Sequence, residues 1–177
     1  MAAPMNEARF WALIAEARAL AGATGVVAEA DEIVEYCVDL LIDLSPKEIV
    51  AFEHRLQLCF QEAYRWDLWG VAYLVNGGYS DDGFDYALGW LIAQGRVHFH
   101  AAMKDPEAMA DGLPEGSEME CPSIWAASAE AWNHVTGDRE SFYEQAPNVE
   151  RTIIGEPWVD ADLEKRFPRT YAKFAQV

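Results

Sequence analysis

Apolar positions recur at helical spacing along most of the chain. Over 6–21 they fall at Phe10, Leu13, Ile14, Ala17 and Leu20, between a candidate N-cap, Asn6, and a closing glycine, Gly22. After a Gly-Ala-Thr-Gly break the pattern resumes over 26–44, with Ile33, Val34, Cys37, Leu40 and Leu41 on one face and acids mostly on the other. Ser45-Pro46-Lys47-Glu48 is the clearest local signal. It offers a cap, a proline for the first helical position and a glutamate able to return to the cap, starting a helix that runs to about residue 64. The stretch 64–100 then concentrates three of the seven Trp, four of the seven Tyr, the Asn76-Gly77-Gly78 turn and a cluster of three Asp. It reads as a short apolar helix over 66–75 and a second helix over 82–103 that buries Phe84, Leu88, Leu91, Ile92 and Phe99.

Beyond it, Asp105-Pro106 opens a short acidic helix. Residues 111–122 hold Gly112, Pro114, Gly116 and Pro122 among acids and read as a mobile loop, a lid or an insertion. Helices are expected over 123–136, 139–145, 160–166 and 168–176, with an irregular piece at 147–157 whose Thr152-Ile153-Ile154 is extended. No strand pair is evident. The pattern predicts an all-α, single-domain bundle of about six to eight helices. Residues 6–104 form the helical core, 105–150 the acidic helices and loop, and 151–177 a tail packing back on it.

Charge narrows the partners. The net charge is −17, and residues 105–150 alone carry 11 acids against one base, Arg139. Such a chain repels phosphate backbones, so nucleic acid and anionic membrane surfaces are poor partners, while a small molecule or peptide, neutral or cationic, stays open. No secretory signal and no membrane-length apolar run is seen. Three cysteines, an odd number, fit reduced thiols in a cytoplasmic protein. Cys37 and Cys59 fall on apolar faces, and Cys121 is expected to be the exposed thiol, blunted by Glu118 and Glu120.

Candidate chemistry gathers in the central stretch. On one helix Asp81, Asp82 and Asp85 stand three and four residues apart, so their carboxylates can share a face as a cation or amine site or as a general acid/base; plain helix capping competes with that reading. Asp67 and Asn76 can join them from the preceding helix. Trp66, Trp69, Tyr73, Tyr79, Tyr86 and Trp90 recur at spacings that suit either core packing or the walls of a pocket for a planar or cationic ligand. His98 and His100 are two apart and point away from each other, unlike a helical metal pair. No phosphate loop, dinucleotide fingerprint, nucleophile elbow or Cys-x-x-Cys occurs, and neither a cofactor nor a metal is indicated.

Several blocks resemble one actinobacterial-type family, the domain of unknown function 4240 family. They are Phe10-Trp11, Leu44-Ser45-Pro46-Lys47-Glu48-Ile49, Tyr64-Arg65-Trp66-Asp67-Leu68-Trp69 and, most specifically, Gly77-Gly78-Tyr79-Ser80-Asp81-Asp82-Gly83-Phe84-Asp85-Tyr86 followed by Gly89-Trp90-Leu91-Ile92. Gly155-Glu156-Pro157-Trp158 and Phe167-Pro168 match more loosely. The resemblance covers roughly residues 7–174 and implies no activity. In that family an Arg commonly precedes the Gly-Trp-Leu-Ile block and faces the Asp cluster. Here that place is Leu88, which leaves the cluster free for a different cation.

The expectation is a small binding or accessory protein with an Asp/aromatic pocket. Its rivals are an enzyme using Asp81, Asp82 or Asp85 as acid/base, and a structural interaction module.

Overall fold

The computed structural model describes residues 3–78 and 80–175. Among them the chain forms ten α-helices and no strand. These are α1 (Glu7–Leu20), α2 (Asp31–Ile42), α3 (Pro46–Ala63), α4 (Trp66–Asn76), α5 (Asp81–Ala93), α6 (Arg96–Lys104), α7 (Ile124–Thr136), α8 (Glu140–Gln145), α9 (Leu163–Arg166) and α10 (Pro168–Phe174). Short 3-10 turns stand at Pro106–Ala110 and Asp160–Asp162. Ten helices stand where about six to eight were expected: one long helix is split, and the two short C-terminal helices foreseen at 160–166 and 168–176 each count separately. No helix among the described residues is long and apolar enough to cross a membrane.

α5 is the axis. Nine of its thirteen residues are buried, and it packs against α3, α4, α6 and α7. Two glycines set how closely its surroundings approach. A Cβ on Gly89 would stand 2.6 Å from the Cys121 carbonyl oxygen, so the backbone of the 111–123 loop lies directly on the helix. In α4, Gly70 leaves room for the Phe167 ring and the Trp158 indole of the C-terminal segment.

The capping signals appear in space. Asn6 Oδ1 accepts from Ala8 N at 2.9 Å. Glu48 returns to Ser45, accepting from its backbone N–H at 3.0 Å and its hydroxyl at 2.6 Å. These bonds, together with Arg9 at 2.8 Å, draw the Glu48 carboxyl down to about 2.

Three expectations are corrected. The helix over 82–103 is two helices, because Gly95 turns to φ +92° and ends α5 while starting α6. The helix over 26–44 begins only at Asp31. Its first residues are instead pinned by α5: Trp90 Nε1 donates to the Val27 and Ala28 carbonyls, both at 3.0 Å, and occupies oxygens a helix would use itself. The 111–122 loop is anchored rather than free. Leu113, Met119 and Cys121 are fully buried, and Cys121 N donates to the Tyr86 carbonyl at 3.1 Å. Cys121 is therefore not the exposed thiol, and burial, with a smaller push from the Asp31 charge, raises its pKa to about 11. The extended piece at 152–154 is present as a single parallel bridge, in which Trp66 N donates to the Ile154 carbonyl at 2.9 Å and Ile154 N to that of Tyr64 at 3.0 Å.

Candidate functional site

The central stretch brings its aromatics together, but as a filled stack. Trp66 lies on Trp69 with centroids 5.2 Å apart, Trp69 on Phe84 at 5.1 Å, and Phe84 on Tyr64 at 5.6 Å. The Arg151 guanidinium continues the column, 4.9 Å from the Tyr64 ring and 5.0 Å from Trp125. Trp125 stacks in turn on Phe60 at 3.9 Å. Tyr73 packs on Trp158, and Trp90 is completely buried in the core. Tyr86 is exposed, while Tyr79 lies outside the described residues.

The acids separate. Asp81 and Asp82 remain exposed in the first turn of α5, where Ser80 Oγ caps the helix by accepting from Gly83 N at 3.3 Å. Asp85 turns to Arg151 and takes both its terminal nitrogens, at 2.6 and 2.9 Å. Asp85 is therefore taken by Arg151 from the tail, while Asp81 and Asp82 stand apart from that pair. Asp67 pairs with Arg65 through Nε at 3.0 Å and Nη2 at 2.5 Å. Asn76 works as a loop clamp, accepting from Met119 N at 3.0 Å and donating to the Met119 carbonyl at 3.4 Å. Among the described residues no group of three or more His, Cys, Asp or Glu is gathered to hold a metal ion.

A larger cleft lies elsewhere and contains none of these residues. It has a volume of about 530 Å³ between α1, the connection after it and the first turn of α6. Alanines make much of its wall: Ala15 and Ala19 from α1, Ala23 from the connection and Ala101 from α6, with Trp11 behind them. Small side chains leave the space between the helices unfilled. Val97, 87% exposed, stands on the rim.

Three of its polar groups, Arg18, Gln94 and His98, are fixed by the fold. Gln94 accepts from Val27 N at 3.0 Å and donates to the Val27 carbonyl at 3.1 Å, holding the connection as a strand neighbour would. Arg18 donates to the Ala93 carbonyl at 3.1 Å, to Gln94 Oε1 at 3.4 Å and to the Gly25 carbonyl. Burial holds its guanidinium below the ordinary value. His98 Nε2 meets the Met109 carbonyl at 2.9 Å; a carbonyl only accepts, so Nε2 carries the hydrogen. Burial also lowers the His98 pKa, keeping the ring neutral near pH 7. A second hollow, about 430 Å³ and edged by Glu29, Asp31, Glu118 and Glu120, has mostly polar walls. Its Asp31 already accepts from Ser123 Oγ at 2.5 Å.

Sequence reasoning passed over Arg18, Gln94 and Arg151. Only Gln94-Gly95, a break inside an apolar run, carried a local signal.

The fold and its cleft define an all-α helical protein with a ligand-sized hollow beside its first helix. The chain belongs to the family described as protein of unknown function (DUF4240), whose family model matches residues 5–134. No curated protein and no solved structure gave a match.

Proposed function

We propose that this is a binding or accessory protein whose ligand, a small molecule with a mostly apolar body, sits in the cleft between α1 and α6. One observation carries the reading: a hollow of about 530 Å³ walled by small apolar side chains, with Arg18 and Gln94 at its edge already fixed by hydrogen bonds. That size falls in the range typical of small-molecule sites, about 300–1,000 Å³. Preset polar groups lose little freedom when a ligand arrives. The Asp/aromatic region supports binding less well, since its stack is filled by Arg151 and its best-placed acid is neutralised.

A cytoplasmic setting fits three free, buried thiols. The acid excess argues against nucleic acid and anionic membrane surfaces as partners.

Ligand-detected NMR with a panel of small aromatic and aliphatic compounds of all three charge types tests the reading. Wild type, Ala19→Trp, which plugs the cleft, and Asp81→Asn/Asp82→Asn are compared. Binders should be lost on plugging and kept by the aspartate variant. The reverse pattern would return the site to the Asp/aromatic region.

A further inference from the structure

Resting on that cleft reading, we infer that its ligand carries a carboxylate and that Arg18 and Arg96 receive it; the structure thus assigns an organic acid with an apolar body. The chain holds 30 acidic and 13 basic residues, yet the cleft wall includes two of the arginines and no aspartate or glutamate. Local sign is inverted against the whole molecule.

Arg18 is the centre of this. Its three protein bonds all go to neutral oxygens, the carbonyls of Gly25 and Ala93 and the Gln94 amide. Among the described residues no carboxylate pairs with it, although 30 were available. A guanidinium has five N–H donors. Three are used, so Nε–H and one Nη2–H are left for a ligand. Arg96 is exposed and only loosely tied, 3.7 Å from Glu7, which His100 shares at 3.3 Å. Neutral His98 adds no charge, so the guanidiniums set the sign. The first turn of α6 carries no acidic residue and no side-chain cap. Its free N–H groups reinforce a choice that the two arginines make.

The net charge does not oppose this at short range. Charges more than about 8 Å away are largely screened at physiological ionic strength. A large acidic protein partner would meet the repulsion over a wide surface, whereas a small acid meets chiefly the cleft, which favours the small molecule.

The probes are 4-phenylbutanoate and its uncharged amide, titrated calorimetrically into the intact protein. A charge-assisted pair exceeds a neutral hydrogen bond enough to predict about tenfold tighter binding of the acid. Arg96→Gln should shrink that ratio, Arg18→Gln should erase it, and Ala19→Trp should abolish both bindings. If Arg18→Gln does not fold, Arg96→Gln decides alone. Equal binding of acid and amide, both lost on plugging, would overturn the carboxylate assignment and leave the cleft reading standing. Acid binding that survives plugging would place it elsewhere and overturn the assignment. Binding of neither probe would remove both readings.

Discussion

Arg151 gives both terminal nitrogens to Asp85 while its plane lies between the rings of Tyr64 and Trp125. Aromatics beside an aspartate suit a planar cation, and the chain supplies that cation itself, from beyond the segment matched by the family. Side-chain exposures of 25% and 23% put the pair between surface and core. Losing it removes charge-assisted bonds and two ring contacts. Arg151→Ala should therefore cost about 2–3 kcal/mol in urea unfolding. Arg151→Lys should recover less than half of that, because an ammonium neither bonds bidentately nor stacks flat. Adding Asp85→Asn to Arg151→Ala should cost little more. Fully additive losses would mean that the two do not act as a pair.

A buried acid makes stability depend on pH. Glu53 faces α7 from α3, and Gln57 Nε2 donates to it at 2.8 Å. Its Oε2 and the Ser128 hydroxyl are both buried, and Ser128 bears on the carboxyl too, lowering its pKa by less than burial raises it. Burial raises the Glu53 pKa above 4.5. The folded state thus holds a proton that the unfolded chain releases near 4.5. The neutral acid's stability is fully present below that value and is lost as pH rises through the higher folded pKa. Glu53→Gln keeps shape and hydrogen bonding without the charge. It should match wild type near pH 4 and become the more stable protein as pH rises toward 8. A stability difference that stays flat with pH would show that folding does not raise the Glu53 pKa.

The thiols offer a quick check on packing. Burial raises Cys37 and Cys59 to about 12 and Cys121 to about 11. At pH 8 almost no thiolate is present, and all three side chains are covered. A disulfide reagent should leave the native protein essentially unlabelled and titrate three thiols in urea. Rapid reaction of one thiol without denaturant would place that cysteine outside the core.

Local signals were legible wherever the chemistry is local. Asn6 and Ser45-Pro46-Lys47-Glu48 start helices because each cap bonds within three residues of itself. Stacking of Trp66 on Trp69 follows from helical spacing alone. What could not be read depends on distance along the chain. Asp85 meets Arg151 across 66 residues, and Gln94 meets Val27 across 67. Asp81, Asp82 and Asp85 share a helix and look like a cluster until a tail residue claims one of them. The cleft has no sequence signature at all, since it is the space alanines fail to fill between α1 and α6. Read as continuous, the apolar run through Leu91, Ile92 and Phe99 hid the break at Gly95, whose role is steric and concerns Arg18.

Gly95 therefore provides the sharpest link between backbone and cleft. Its φ of +92° with ψ near 174° is a conformation reserved almost wholly for glycine. A Cβ there would also press on Arg18 Cδ at 3.3 Å. Gly137 is the natural comparator, with φ +75° and open space around the missing Cβ. Both alanine variants should lose about 1–3 kcal/mol in urea unfolding from backbone strain. Only Gly95→Ala should also weaken 4-phenylbutanoate, because a displaced Arg18 stem moves the guanidinium that receives it. Binding by Gly95→Ala that matched both Gly137→Ala and wild type would show that the seat of Arg18 does not shape the cleft.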